Sequence, residues 1–509
     1  MIGLWKTLQR MSNNGIMKRL IIFLAPIILP YIIIAQTNTV KFATEANEIN
    51  GFTIMDSDYN FISFFSSKHP DSLLFSRYLY KFNNAGDTLF SRQFFKVDTV
   101  VGISNIVQCN ANPIEYFMYA KCYVNGDDPR NMFSIFYKID AGFNIIWEKV
   151  YHLRPGILSS SDIYPNILQK KDGGFVFATN LGANFHLVLF EMSSMGDSMN
   201  YRYYQGDSAG MYLSDFIYNF DSTAYLALTI DAHPDGSLRT AQAISIDTDL
   251  NQTHVYYFPK YFDDIIVAKV APSGNYIAGG GYFETTYPQG ESSMAVYKLD
   301  TGFNLLGNCF VGDPDFDIRK DPGYVSMDFY DPNSIFVAGT FDFDIGIWIN
   351  HPSWIVIGKV DSNMNLLTEK YIGGDAYYRF NTITATNDGG IFIGASRYDY
   401  LTQDHEHDAY YYRFDSIEMT VAIDERSEES ILQNAIVYPN PASERFFIRT
   451  SYMGSEMILF NQNGEQVLNQ KITSLITEIE SINLPLGVYI WMIVLEGKQI
   501  ESGKLIITN

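Results

Sequence analysis

Short apolar segments alternate with tight polar turns along most of this chain, and the alternation is periodic. One recurring segment has an apolar residue, a Lys or other polar residue, a second apolar residue and then an Asp or Asn. A turn and another apolar stretch follow it. Its copies start roughly 54 residues apart, a spacing typical of repeat architectures. The seven copies start at Tyr80, Tyr137, Phe190, Ile244, Tyr297, Gly358 and Tyr412.

A second segment precedes each copy of the first one. It consists of a turn rich in Gly, Asp or Asn and three or four apolar residues, often ending in Ala or Gly. Its seven copies start at Asp58, Ile114, Asp172, Asp221, Ser273, Pro332 and Asp388. Two patterns with the same count indicate one supersecondary unit repeated along the chain.

Each unit predicts four short strands, A to D. Examples are Asn166–Lys171 for strand A, Phe175–Ala178 for strand B and Ile145–Tyr151 for strand D; strand C begins at the Tyr-Lys type segment. The A–B and C–D turns carry the Gly, Asn and Asp that tight hairpins need. Four short strands in each repeat are typical of a propeller blade. The prediction is an all-β chain with a seven-bladed β-propeller over residues 37–423; two stacked sandwiches explain the equal periods less well.

A propeller needs a strand that closes its last blade, and the sequence offers two candidates. Thr37–Thr44 precedes the first blade and could complete the last one. Met419–Ile423 at the end of the repeats is the competing candidate. Closure by the N-terminal strand would remove an exposed sheet edge.

The last 75 residues have a different pattern, after a polar, acidic linker at residues 424–434. Short strands and turns alternate there, which favours a small Ig-like antiparallel β-sandwich over residues 435–509. The predicted strands are Arg445–Ser451, Glu456–Phe460, Glu465–Gln470, Thr477–Ile482, Val488–Leu495 and Lys498–Thr508.

Local motifs give this tail a more specific meaning. It contains YPNP, a Gly-turn segment NQNGEQVL, LPLGVYI and a final GKLIIT. Together they resemble the type A C-terminal sorting domain of proteins exported by the type IX secretion system of Bacteroidetes. The residues that carry the resemblance are Tyr438, Pro439, Asn440, Pro441, Gly464, Leu484, Pro485, Gly487 and Tyr489. The resemblance implies recognition by the outer-membrane translocon, frequent removal of the domain, and a body that is secreted or attached to the cell surface.

The N-terminal segment predicts a signal peptide at residues 17–35. Met17, Lys18 and Arg19 precede an apolar run that ends at Ala35-Gln36. The run would form a helix of about 22 Å, shorter than a bilayer core of about 30 Å. We therefore expect no transmembrane segment after cleavage, and we expect residues 1–16 to be an upstream mis-start.

Composition narrows the possible partners. The net charge is −22, and such a field repels phosphate backbones, so we expect no nucleic-acid binding. Three cysteines make no disulfide framework. Cys109 and Cys122 could meet in one hairpin, but the pattern does not place them opposite each other.

Loop lengths predict where a ligand would bind. The B–C and D–A connections are long, and in a four-stranded meander they leave the blades on one face, here called the long-loop face. Aromatic residues with Asp and Asn beside them suit sugar or peptide ligands. The alternative for each ring is that it covers a strand end. The candidates are Tyr282, Tyr287, Trp348, Trp354, Tyr378, Tyr398 and Tyr400.

Two polar clusters are candidate metal sites. Asp313, Asp315 and Asp317 alternate and could bind Ca²⁺, although the segment lacks the Gly and distal Glu of an EF-hand loop and a solvated acidic loop explains it as well. His405 and His407 would share a strand face but need further ligands. No other cofactor is expected.

No nucleophile, zinc or phosphate-loop motif is present. The favoured hypothesis is a secreted or surface propeller that binds an extracellular glycan or protein and is not an enzyme. The alternative is an extracellular, glycan-directed hydrolase or lyase with carboxylates on the same face; an inward-facing acidic pair about 5–9 Å apart would favour it. A surface protein with purely structural loops is a third hypothesis.

Overall fold

The computed structural model describes these parts of the chain: residues 38–42, 47–68, 76–94, 99–124, 133–151, 166–181, 186–204, 210–232, 239–258, 267–283, 292–312, 325–344, 349–402, 406–416, 418–419, 435–438, 442, 445–450, 452–474, 476–495 and 497–508. Within these ranges the secondary structure is all-β, with strands and turns and no α-helix. Accordingly, no helix in them has the length and hydrophobicity to span a membrane. The predicted signal peptide and the linker at 424–434 lie outside the described residues.

Most strands belong to four-stranded antiparallel sheets that follow one another along the chain. The first described strand is β1 (Asn38–Phe42). Sheet 1 contains β2 (Asn47–Met55), β3 (Phe61–Lys68), β4 (Ser76–Phe82) and β5 (Thr88–Phe94). Sheet 2 contains β6 (Thr99–Gln108), β7 (Glu115–Val124), β8 (Phe133–Asp140) and β9 (Ile145–Tyr151). Sheet 3 contains β10 (Asn166–Gln169), β11 (Phe175–Leu181), β12 (His186–Met192) and β13 (Ser198–Tyr204).

Three further sheets repeat this order, and a seventh differs in one strand. Sheet 4 contains β14 (Gly210–Tyr218), β15 (Tyr225–Ala232), β16 (Arg239–Ile246) and β17 (Gln252–Tyr257). Sheet 5 contains β18 (Val267–Val270), β19 (Tyr276–Phe283), β20 (Ser292–Leu299) and β21 (Leu305–Val311). Sheet 6 contains β22 (Met327–Phe329), β23 (Ile335–Phe341), β24 (Trp354–Val360) and β25 (Leu366–Gly373). Sheet 7 contains β26 (Tyr377–Ala385), β27 (Ile391–Tyr398) and β28 (His407–Phe414).

The N-terminal strand supplies the fourth strand of sheet 7. β1 pairs antiparallel with β28, with Val40 opposite Tyr411. The ring of Phe42 lies 4.8 Å from that of Tyr80 and 5.0 Å from that of Phe65, so β1 also packs on sheet 1. Met419, the start of the competing candidate, is buried in a turn rather than in a strand. Of the two closing strands that the sequence left open, the structure uses the N-terminal one.

The sheets form a closed ring with their first strands innermost. β2, β6, β10, β14, β18, β22 and β26 contact one another in that order, and β26 contacts β2. The neighbouring sheets approach closely at Gly279, where a Cβ atom would lie 2.6 Å from the side chain of Met327. Aromatic stacking joins the faces, as between Phe117 and Phe175 with ring centroids 3.8 Å apart. This architecture is propeller-like.

The turns between the third and fourth strands explain why Asp or Asn recurs at one position of the sequence repeat. In the turn from Asp140 to Asn144, the Asp140 carboxylate accepts hydrogen bonds from the backbone amides of Gly142 and Asn144. The fourth residue of such turns has positive φ, which normally favours Gly. In four of the described turns it is instead a buried apolar residue, and the side chain packs into the core between sheets. These residues are Phe143, Leu250, Phe303 and Met364.

The three cysteines have free thiols and are buried. Cys109 follows β6, while Cys122 in β7 pairs with Val101. They are therefore not opposite each other in the hairpin, as the sequence pattern indicated, and no disulfide joins them.

The C-terminal residues form two further sheets that share one apolar core. One contains β29 (Ala435–Tyr438), β30 (Arg445–Thr450) and β33 (Ile476–Glu480). The other contains β31 (Glu456–Phe460), β32 (Gln466–Lys471), β34 (Gly487–Leu495) and β35 (Lys498–Ile507). Phe446 and Ile448 of the first sheet pack with Leu459 and Trp491 of the second. The predicted strand bounds hold to within one or two residues.

Candidate functional site

Trp354 is the best-defined of the predicted ligand-binding residues. It is half-buried at the start of β24, where the long B–C connection enters sheet 6. Its ring meets Phe341 edge-on, with centroids 5.6 Å apart. Gly374 has φ +89°, and a Cβ atom there would lie 2.5 Å from the indole nitrogen. Glycine at this turn therefore lets the indole lie directly against the backbone.

Polar groups lie in the B–C connection that leads to this tryptophan. His351, three residues earlier, lies between two carboxylates: its Nδ1 is 3.3 Å from Asp342 Oδ2 and its Nε2 is 3.9 Å from Asp344 Oδ2. The Tyr377 hydroxyl donates to the Asp344 carbonyl oxygen at 2.8 Å, which fixes this loop against sheet 7.

An ion pair lies beside the Gly373-Gly374 turn that contacts the tryptophan. Asp375 follows the Gly373-Gly374 turn and accepts a 3.0 Å hydrogen bond from Arg397 Nη2. The Arg397 guanidinium also donates from Nε to the Tyr378 hydroxyl at 3.2 Å. Trp354, these three aspartates and their two basic partners form what we call the Trp354 cluster: Asp342, Asp344, His351, Trp354, Asp375 and Arg397.

Three of the other predicted aromatic residues are buried. Tyr378, Tyr398 and Tyr400 are 6%, 3% and 7% exposed. Tyr398 and Tyr400 pack with Ile349 and Tyr377 in a small apolar cluster. These rings cover the ends of sheet 7, so they have no open face for a ligand. This is the structural role that the sequence left as their alternative.

The remaining predicted residues have no described side chain. Tyr282 lies in β19, but its side chain is outside the described part, as are Tyr287, Trp348 and the acidic triplet Asp313, Asp315 and Asp317. His405 is also outside it, whereas His407 begins β28 with its ring 5.1 Å from that of Tyr398. Among the described residues, no group of three or more His, Cys, Asp or Glu could hold a metal ion.

The sequence did not indicate a cavity at the centre of the ring. It has a volume of about 360 Å³ and is lined by the first strands of six sheets. Its walls are mainly apolar, with Phe52 and Ile54 from sheet 1, Ile217 from sheet 4 and Met327 from sheet 6. The lining residues lie toward the ends of these strands, next to the short A–B turns, and not at the long-loop face. We call this space the axial cavity.

Three charged side chains line the axial cavity. Lys269 Nζ pairs with Asp328 Oδ1 at 2.5 Å, and Asp328 Oδ2 accepts a hydrogen bond from the Ala385 amide at 2.8 Å. Asp215 accepts hydrogen bonds from the amides of Phe216 at 2.8 Å and Ala268 at 2.9 Å. Burial raises the pKa of Asp215 to about 6, against the opposing effect of these amides. Both aspartates thus join one sheet to the next while facing the cavity.

Two tyrosines meet at the turn end of the cavity. Tyr330 lines the cavity after β22, and Tyr59 lies in the turn after β2. A hydrogen bond between their side chains raises the pKa of Tyr330. Tyr59 is 39% exposed and Tyr330 is 52% exposed. Tyr59 belongs to sheet 1 and Tyr330 to sheet 6, and sheet 7 lies between these two sheets. The pair therefore reaches across the end of sheet 7.

Comparison with known proteins identifies the C-terminal region. Residues 436–508 match the family described as "Secretion system C-terminal sorting domain". The chain carries a sorting domain. The protein is therefore secreted or attached to the cell surface, and the type IX resemblance drawn from the sequence is confirmed. No curated protein matches the chain.

The sorting domain gives structural roles to its motif residues. Gly464 has φ 78° in the turn between β31 and β32. The Tyr489 hydroxyl donates to the carbonyl oxygen of Pro485, while Leu484 packs on the core and Gly487 begins β34. Tyr438 ends β29; Pro439, Asn440 and Pro441 lie outside the described residues.

Several solved structures resemble the chain in fold, at low sequence identity. A structure titled "Structure of Dos1 propeller" shares 12% identity, with 74% of this chain and 95% of that chain covered and a TM-score of 0.38. A fungal alcohol oxidase of the AA5 family shares 10% identity over 93% and 100% of the two chains, with a TM-score of 0.42. PorZ, a surface component of the type IX secretion system of Porphyromonas gingivalis, shares 10% identity over 92% and 75%, with a TM-score of 0.28.

Proposed function

We propose that this protein is a seven-bladed β-propeller that the type IX translocon exports and that binds an extracellular glycan or protein through its long-loop face. The proposed propeller covers residues 37–423, and an Ig-like sorting domain covers 435–509 after the linker. The cyclic contacts between first strands support seven blades. Closure of sheet 7 by β1 supports a ring without a free edge.

The Trp354 cluster is the observation that carries the binding proposal. An indole ring offers an apolar face for the C–H groups of a sugar ring, and the carboxylates of Asp342, Asp344 and Asp375 accept hydrogen bonds from hydroxyl groups. Packing against Phe341 and Gly374 holds the indole in one orientation before a ligand arrives. Such preorganisation lowers the entropic cost of binding. Of the two ligand classes, a glycan fits this combination best.

A glycan array with the mature chain tests the proposal. We expect Trp354→Ala to weaken binding to the array hits about fivefold, because one stacked aromatic contact contributes roughly 1 kcal/mol. Tyr257→Ala is the matched control, since Tyr257 is an exposed aromatic residue on the outer strand β17. Its affinity should equal that of the unaltered chain. Glycans that bind the Trp354→Ala variant as tightly as the unaltered chain would contradict the proposal.

The alternative is a glycan-directed hydrolase or lyase. Its carboxylates would lie on the same long-loop face, where Asp344 and Asp375 of the Trp354 cluster are the candidates. Incubating the array hits with the mature chain and following new reducing ends or unsaturated products tests it. Product that disappears in Asp375→Asn would support catalysis; unaltered glycan would exclude it for those hits.

A further inference from the structure

We propose that the axial cavity binds a small organic cation, an ammonium group on an apolar body. This site is separate from the Trp354 cluster and does not depend on the proposed function. It is argued from the charge balance inside the cavity, the nature of its walls and the two tyrosines at its end.

The charge balance of the cavity favours a cation. Lys269 is neutralised by Asp328. Asp215 accepts hydrogen bonds from two backbone amides and interacts with Lys269 only through a weaker Coulombic attraction, and no ion pair among the described residues includes it. The lining therefore carries one net negative charge once Asp215 is ionised. The net charge of −22 on the whole chain adds a long-range attraction for cations.

The walls and volume define the rest of the ligand. Phe52, Ile54, Ile217, Val267 and Met327 give the cavity a mainly apolar surface. Its volume of about 360 Å³ is at the small end of the 300–1,000 Å³ typical of ligand pockets. A small molecule with one charged group fits this space, whereas a glycan chain or a folded peptide segment does not.

Tyr59 and Tyr330 supply the third element of the site. Both side chains are partly exposed at the turn end of the cavity, and their rings come from different sheets. Aromatic faces attract ammonium groups by roughly 0.5–2 kcal/mol, more when water is excluded.

The site predicts a pH dependence of binding. The charged and titratable groups that line the cavity with Asp215 are Lys269, Asp328 and Tyr330. Because the pKa of Asp215 is raised to about 6, its carboxylate is mostly protonated at pH 5 and ionised at pH 7.5. Affinity for a cation should therefore increase about tenfold over this interval.

Choline and its neutral isostere 3,3-dimethylbutan-1-ol provide a matched pair of probes for calorimetric titration of the mature chain. At pH 7.5 we expect choline to bind at least ten times more tightly than the alcohol. Asp215→Asn should remove that preference while Asp249→Asn, an exposed carboxylate in a turn of sheet 4, should not change it. Thermal unfolding of each variant shows whether it is folded.

Tyr330→Ala keeps the proposal falsifiable if Asp215→Asn does not fold. Tyr330 is 52% exposed, so its truncation should leave the fold intact and weaken choline binding several-fold. Trp354→Ala should leave choline binding unchanged, which separates this site from the proposed glycan site. Absence of choline binding, equal binding of the two probes, or binding that persists in folded Asp215→Asn would each overturn the proposal.

Discussion

Phe303 is the residue at which the repeat's turn chemistry can be tested most directly. It is the fourth residue of the turn from Asp300 to Asn304, with φ 63°, and is 4% exposed. Its ring lies 4.9 Å from Tyr256 of sheet 4 and 4.8 Å from Tyr276 of its own sheet, with Phe258 at 5.2 Å. Phe303 thus has an unfavourable backbone conformation, and its ring fills the space between two sheets.

Two substitutions separate the packing from the backbone strain. Phe303→Ala removes the ring and keeps a Cβ atom at positive φ, so we expect a loss of about 3–5 kcal/mol in the free energy of unfolding. Phe303→Gly removes the ring as well but relieves the left-handed backbone by about 1 kcal/mol. The glycine variant should therefore be more stable than the alanine variant and less stable than the unaltered chain. Gly86 and Gly196, which take the same position in other turns, indicate that glycine is compatible with it.

Urea unfolding of the mature chain, followed by far-ultraviolet circular dichroism, measures these differences. Leu306→Ala is the control, because Leu306 is an exposed apolar residue of the adjoining strand β21 and should cost less than about 0.5 kcal/mol. A glycine variant as stable as the unaltered chain would show that packing does not outweigh strain. An alanine variant at least as stable as the glycine variant would refute the role given to the backbone conformation.

The remaining predictions concern a buried ion pair in sheet 1 and the strand that closes sheet 7. Lys81→Met should lower the free energy of unfolding by about 3–5 kcal/mol, because the buried Asp56 carboxylate, 3.0 Å from Lys81 Nζ, then has no cation beside it. Adding Asp56→Asn to the same chain should restore part of this loss in a urea titration. Burial opposes ionisation of Asp56, but the Asn60 amide, Tyr116 and Lys81 together lower its pKa below the usual value. The stability that the Asp56 carboxylate contributes is therefore present above its unfolded pKa and is lost as pH falls through its folded pKa. Deleting residues 36–42 should expose β28 and cause concentration-dependent self-association in sedimentation velocity, whereas a monomer at all concentrations would contradict the closing role of β1.

The strands were predictable because their signals are local. β9 (Ile145–Tyr151) and β31 (Glu456–Phe460) have the predicted bounds, since alternating apolar residues and hairpin turns fix both ends of a short strand. The closing strand was not decided by the sequence, because both candidates are short apolar segments. Its choice depends on pairing with β28, which lies more than 360 residues away in the chain.

The candidate sites were harder to predict, for two different physical reasons. An aromatic residue beside a turn can bind a ligand or cover a strand end, and only burial distinguishes Tyr378 and Tyr398 from Trp354. The axial cavity has no local motif, because ring closure brings Asp215, Lys269 and Asp328 together from three repeats. A signal does exist in the aligned first strands. Lys269 and Asp328 take the position that Ile54 and Ile217 take in sheets 1 and 4, so a charge replaces an apolar residue.

The two proposed sites lie at opposite ends of sheet 6, which constrains how they can interact. Tyr330 precedes β23 and lines the axial cavity, whereas Phe341 ends the same strand and packs on Trp354. β23 is 7 residues long, so the two ends are about 20 Å apart at 3.3 Å per residue. Substitutions that far apart with no shared partner normally add in their effects. A chain with both Trp354→Ala and Tyr330→Ala should therefore show the two losses of glycan and choline binding independently, and any coupling between them would require a movement along β23 that its buried residues oppose.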